Sequence, residues 1–118
     1  MSPKPSIPLF SYGTLRQREV QLATYGRLLD GTPDTLSSYR LDALAIADPD
    51  VVRLSGKAVH HIARKSSDSN DRIAGFLFLI TAEELAATDV YEVKSYARAE
   101  VMLDSGLRAF AYVGPDWE

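Results

Sequence analysis

The octapeptide YEVKSYAR, Tyr91 to Arg98, holds the strongest candidate for chemistry in the sequence. Glu92 falls between a segment that reads as a capped helix and one that reads as a strand, and a side chain at such a junction can face a cavity. Tyr91, Val93 and Tyr96 flank it with apolar surface. Burial disfavours a charged carboxylate, so these neighbours would raise Glu92 from the ordinary value of ~4.3 toward that of a useful general base. The plainer reading is a solvated glutamate paired with Lys94 or Arg98, because charged side chains mostly stay in water.

A second candidate is LFSYGTLR, Leu9 to Arg16. Leu9 and Phe10 read as a buried strand, yet Tyr12-Gly13-Thr14 interrupts it with a residue free to take φ > 0. Such a stretch is either a plain turn or a loop whose backbone N–H groups are aimed at a ligand. His60-His61 suggests a metal site only weakly. Adjacent strand residues point to opposite faces, and no cysteine or acidic cluster stands at ligand spacing, so one histidine inward and one outward is expected and no metal. Asp48 and Asp50 flank Pro49 and read as turn residues. No G-x-S-x-G and no glycine-rich phosphate loop is present.

These residues need elements to carry them. Ile7 to Ser11 reads as a short buried strand, and the apolar spacing from Leu15 to Leu29 as a helix broken at Gly26. DGTPD, Asp30 to Asp34, is turn chemistry. Ser38 to Ile46 reads as a strand, Asp48-Pro49-Asp50 as a turn, Lys57 to Ile62 as a strand, and Arg64 to Arg72 as a mobile polar loop. Ile73 to Ile80, the most apolar stretch, is expected to be a central strand. Thr81 and Glu84 form a capping box that starts a helix running to about Asp89. Tyr96 to Leu103 alternates as a strand, and Ser105-Gly106 turns it into a last one, Leu107 to Val113. Five or six strands and two short helices make an α+β fold, a mixed, largely antiparallel sheet curled toward a small barrel.

At 118 residues the chain is expected to be a single domain spanning 1–118, with residues 1–6 a disordered tail. An apolar fraction of 46% is that of an ordinary globular protein, and a net charge of −3 offers no attraction for nucleic acid or an anionic membrane. No segment has the length of a membrane span, and nothing near Met1 has the apolar run of a signal peptide. The lack of cysteine removes disulfides and thiolate chemistry and fits a cytoplasmic protein.

Three motifs taken in order resemble the gamma-glutamylcyclotransferase-like family: YGTLR at Tyr12 to Arg16, the I-x-G-x-L-F-x-I-T pattern at Ile73 to Thr81, and E-L-x-x-x-D-x-Y-E-x-x-x-Y-x-R at Glu84 to Arg98. The terminal AFAYV, Ala109 to Val113, is similar to the ending of its members. The resemblance implies a small fold around a barrel-like sheet and a site in which Tyr12, Gly13, Thr14 and Leu15 form a pocket loop, Glu92 is the acid/base after the second helix, and Tyr96 lies among the substrate contacts. It implies a γ-glutamyl amine or peptide as the small-molecule substrate. The glutamyl α-amine attacks its own γ-carbonyl and closes 5-oxoproline, so the nucleophile belongs to the substrate and neither metal nor cofactor is called for. A non-catalytic small-metabolite binder of the same fold is the alternative. One departure stands beside the acid: many members have glycine where this chain has Val93. A β-branched residue does not take φ > 0 cheaply, so the loop there is expected to be shaped differently.

Overall fold

Two strand-forming runs meet at the centre of the molecule, and the rest of the sheet is built outward from them. The computed structural model describes residues 4–92 and 96–114. β1 (Ile7–Ser11) lies antiparallel to β5 (Arg72–Ile80), with Leu9 opposite Phe78 and Ser11 opposite Phe76. Gly75 makes this approach possible, because a Cβ there would sit 2.5 Å from the carbonyl oxygen of Ser11. β5 is central, as its composition predicted: its other edge pairs with β2 (Gly31–Ser37).

The remaining strands are β3 (Tyr39–Ala45), β4 (Val59–Lys65), β6 (Ala97–Met102) and β7 (Arg108–Val113). The seven-stranded sheet runs β2-β5-β1-β7-β4-β3, with β6 paired to β7 beside this path. It is mixed, with β1 and β4 parallel to β7 and the other pairings antiparallel. The sheet forks at β7. β6 occupies one edge of β7 along its length, so β1 (Leu9 opposite Phe110) and β4 (Ala63 opposite Val113) share the other edge and part from each other there. β2 passes into β3 through Ser38, whose φ of 65° makes the bend, held by its amide on Asp71 O and its carbonyl on Ser66 N. The two ends of the strand order thus join through one residue, and the sheet closes into a half-barrel.

Three α-helices stand against it: α1 (Arg18–Tyr25), α2 (Pro49–Ser55) and α3 (Ala82–Tyr91). The apolar side chains divide accordingly. Phe10, Leu36, Ile73 and Ala111 fill the inside of the curl. Leu9, Phe78, Ile80 and Tyr112 pack outward under Val20, Val51 and Tyr91 of the helices. Alternate residues of β1 serve the two layers, as strand geometry requires. Among the described residues no helix is long and apolar enough to cross a membrane.

Several expectations need correction. Gly31 to Asp34 is no turn but the start of β2, where Pro33 is tolerated because β2 pairs along one edge only and loses no ladder bond. Asp48-Pro49-Asp50 begins α2: Asp48 is the N-cap, accepting from the Asp50 amide at 2.9 Å, Pro49 occupies the first turn, and Gly56 ends the helix at φ 72°. Turn and cap signals use the same residue types, and a third helix results. Arg64, Lys65 and Arg72 belong to β4 and β5, so the loop between them is shorter than expected. α3 runs two residues past Asp89, its capping box formed as read. Of the expected tail, residues 1–3 lie outside the described residues, while the Ser6 amide donates to Ile80 O.

Candidate active site

β1 stops at the fork because Tyr12 replaces a rung of the sheet. Its hydroxyl donates to Tyr112 O of β7 at 2.5 Å and accepts from the Ala63 amide of β4 at 2.9 Å. These are backbone groups that parted strands would otherwise leave unpaired. The chain then makes a single 3-10 turn, Thr14–Arg16, closed by Arg16 N to Gly13 O. The leading amides of such a turn, those of Thr14 and Leu15, have no acceptor within it. Gly13 departs from expectation: its φ is −123°, and a Cβ would meet nothing within 4 Å. No atom of the protein therefore excludes a side chain at Gly13, which borders the open space of the cavity.

Glu92 is placed from the other side by α3, whose last turn is tied down residue by residue. Thr88 donates to Glu84 O and so accepts from Tyr25 Oη of α1 at 2.7 Å. Asp89 takes Tyr112 Oη and Arg98 Nη1 on its two oxygens. Tyr91 Oη shares a 2.5 Å hydrogen bond with Thr14 Oγ1, which fastens the helix end to the turn after β1. Glu92 follows as the C-cap, its amide on Thr88 O.

These two arms, far apart in the chain, enclose a cavity of about 190 Å³. Tyr12, Gly13, Thr14, Leu15, Tyr96 and Glu92 all line it, so every residue singled out from the sequence as a site residue borders one space. Glu92 is half-buried, and desolvation pushes its carboxyl up to about 8. Among the described residues it has neither a hydrogen-bond partner for its side chain nor an ion pair. Five tyrosines lie within its electrostatic reach, Tyr12, Tyr25, Tyr91, Tyr96 and Tyr112, and burial raises each of their phenols, Tyr25 to about 12. All five hydroxyls are engaged elsewhere, Tyr96 donating to His61 O at 2.7 Å. The site therefore surrounds Glu92 with aromatic faces whose hydroxyls are all hydrogen-bonded to other groups.

The far wall comes from β4 and the segment before it. His60 points in, is buried, and bonds Ser55 Oγ through Nε2 at 3.0 Å; burial lowers its pKa and keeps the ring neutral. His61 is exposed. The expected split of the two histidines is thus observed. Arg16 and Lys57 supply cations to the lining, where Glu92 is the one acid among the described residues.

The pairing of Glu92 with Arg98 does not form, since Arg98 is bound to Asp89 at 2.7 Å. Lys94 and Val93, with its departure from the family pattern, lie outside the described residues. Tyr25 and Tyr112 were not picked out as site residues. Tyr112 sits in the recognisable AFAYV ending, whereas nothing local to Tyr25 in α1 points to the site.

The family model described as Gamma-glutamyl cyclotransferase, AIG2-like matches residues 9–117. Comparison with curated protein sequences gives no match. Solved structures share the fold. An Arabidopsis thaliana protein solved in solution superposes with TM-score 0.68 at 24% identity, over 97% of this chain and 65% of that one. An uncharacterized Homo sapiens protein gives 0.71 at 19%, over 96% and 69%. A structure named Gamma-glutamyl cyclotransferase gives 0.70 at 13%, over 92% and 66%. The chain thus spans about two thirds of the length of these proteins. At such identities the likeness speaks for the fold, and it agrees with the family pattern that runs through nearly the whole sequence. The chain belongs to the gamma-glutamyl cyclotransferase, AIG2-like family.

Proposed function

We propose that the protein is a γ-glutamyl cyclotransferase, converting the γ-glutamyl group of a small γ-glutamyl amine or peptide to 5-oxoproline with release of the amine. The observation that carries this reading is Glu92: a raised carboxyl, without a partner among the described residues, in the same cavity as the Tyr12 to Leu15 turn. A structural glutamate would be solvated or paired. One desolvated and without a partner among the described residues suits a ligand that brings its own cation, and the α-ammonium of a γ-glutamyl group is such a cation.

In the reaction the carboxylate of Glu92 takes a proton from the ammonium. The freed amine attacks the γ-carbonyl of the same molecule, and the C–N bond to the leaving amine breaks as Glu92 returns the proton to it; the second proton of the ring nitrogen passes to the same amine, which departs as its ammonium. One carboxylate serves both transfers in sequence. Folding the substrate back on itself removes much of the entropic barrier to ring closure, and the cavity walls supply that restraint. The amides of Thr14 and Leu15 are suited to the substrate's α-carboxylate or to the oxyanion formed at the γ-carbon. The aromatic surround keeps water from competing for Glu92.

Incubation with γ-glutamyl dipeptides and γ-glutamyl amines, with 5-oxoproline as the readout, tests the reading. Release of 5-oxoproline that disappears with Glu92→Gln is expected. Binding of such compounds without turnover would instead identify a non-catalytic binder of the same fold.

A further inference from the structure

The exposed part of the cavity lining is cationic, opposite in sign to the carboxyl within. Arg16 and Lys57 both border the cavity, both are exposed, and neither forms an ion pair among the described residues. Arg16 closes the 3-10 turn: its amide and its Nε both donate to Gly13 O, at 3.2 and 3.1 Å. The second of these bonds holds the guanidinium against the turn and leaves its Nη groups as donors for a ligand. Lys57 stands where α2 gives way to β4. Gly56 ends the helix at φ 72°, and Ser55 Oγ then brackets Lys57, donating to its carbonyl and accepting from its amide, each at 3.3 Å. Burial does most to lower His60, and the Lys57 ammonium acts in the same direction, so it lies within electrostatic reach of the ring that forms this wall. Val59, 56% exposed, adds apolar surface to the same lining.

A γ-glutamyl compound has a constant head and a variable leaving amine. The head is a zwitterion, whose ammonium suits Glu92 and whose carboxylate suits the amides of Thr14 and Leu15. Two cations then remain to meet the rest of the molecule. We propose that Arg16 and Lys57 select the leaving group: the protein takes γ-glutamyl conjugates of amino acids, whose free carboxylate these cations bind at the cavity mouth, in preference to conjugates of uncharged or cationic amines. The inference rests on the functional reading above for the place of the head, and goes past it in naming the leaving group. A guanidinium grips a carboxylate through two parallel N–H bonds, and an ammonium beside it adds a point charge. A leaving amine that ends in a second ammonium would meet like charge at the same place, which makes the pair a device of exclusion as well as of binding. Because both cations are exposed, water and salt screen them, and two such contacts together favour the carboxylate by about tenfold.

Three compounds of similar size separate the charges: γ-glutamylalanine, γ-glutamylalaninamide and γ-glutamylethylenediamine, which end in a carboxylate, a neutral amide and an ammonium. At low salt and neutral pH, kcat/KM for 5-oxoproline release should fall in that order, by about tenfold between the first two. Added salt should shrink the difference. Lys57→Gln, an exposed substitution, should remove most of the preference through a loss on γ-glutamylalanine, whereas Lys57→Arg should retain it. An equal loss on the alaninamide would mean that Lys57 holds the carboxylate of the head, and would overturn the proposal. So would a preference that survives in Arg16→Gln/Lys57→Gln, or a parent protein that treats the first two compounds alike. Calorimetry on the same three compounds keeps this inference apart from the functional reading. Equal release of 5-oxoproline from all three leaves the cyclotransferase standing and removes the selection of the leaving group. Binding in the expected order without turnover does the reverse. A protein that binds none of the three loses both.

Discussion

Two glutamates on α3, Glu84 at its start and Glu92 at its end, receive opposite treatment. Glu84 accepts from the Thr81 amide at 2.9 Å and from Arg27 through Nε at 2.7 Å and Nη2 at 2.8 Å. The Arg27 hydrogen bonds, outweighing desolvation, hold its carboxyl below the usual range. It also stands at the positive end of the helix dipole, where a carboxylate is stabilised. Glu92 stands at the negative end, is desolvated, and has no partner among the described residues. One residue type on one helix thus serves cohesion where its bonds are complete, and at the other end stands without a partner among the described residues at the wall of the cavity. A desolvated carboxylate without a partner is a cost to the fold.

The largest effect expected from breaking this contrast is on rate. Glu92→Gln keeps the size and most hydrogen bonding but accepts no proton at neutral pH. Release of 5-oxoproline should fall by ~10²–10⁴-fold, while substrate affinity measured by calorimetry should weaken far less. A Glu92→Gln protein turning over at close to the parent rate would remove Glu92 from the mechanism.

The same substitution should stabilise the protein. Glu92 is raised from an ordinary 4.5 to about 8 on folding, so between these pH values the folded chain holds a proton that the unfolded chain has lost. The contribution is present in full below 4.5 and disappears as pH rises through about 8, at up to about 1.4 kcal/mol per pH unit. Denaturant midpoints of parent and Glu92→Gln should therefore draw apart between pH 5 and 8, with the variant the more stable. Parallel curves would show that Glu92 ionises no differently in the folded protein.

Glu84→Ala should do the reverse. It removes the reciprocal cap and the Arg27 fork, at about 1–2 kcal/mol of stability by denaturant unfolding. Turnover of the folded fraction should stay near the parent value. The smallest effect belongs to Gly13. With φ negative and no atom near a new Cβ, Gly13→Ala should leave stability unchanged or raise it by up to about 1 kcal/mol. It should raise KM because the methyl group enters the space beside the turn. A destabilised Gly13→Ala protein would return the glycine to the fold.

Much of this contrast was already legible. The capping box needs only Thr81 and Glu84 three residues apart, and it forms as read. β5 is apolar along its length and lies between two neighbours. The junction after Tyr91 and the order of three motifs located Glu92 and the Tyr12 turn. These signals are short-range: caps and periodicity act over a few residues, and so a sequence displays them. Where the local vocabulary is shared, the sequence misleads. Asp-Pro-Asp and Asp-Gly-Thr-Pro-Asp serve turns, helix starts and edge strands alike, and only packing against α1 and pairing with β5 decided between them. The environment of Glu92 is wholly tertiary. Tyr12 reaches Tyr112 across 100 positions, Tyr91 reaches Thr14 across 77, and Tyr25 reaches Thr88 across 63. Those contacts depend on sheet register and on the fork at β7, which exist only after the strands have paired. The sequence by itself singled out Glu92 as the candidate acid; the tertiary structure decided that nothing in its described surroundings would neutralise it.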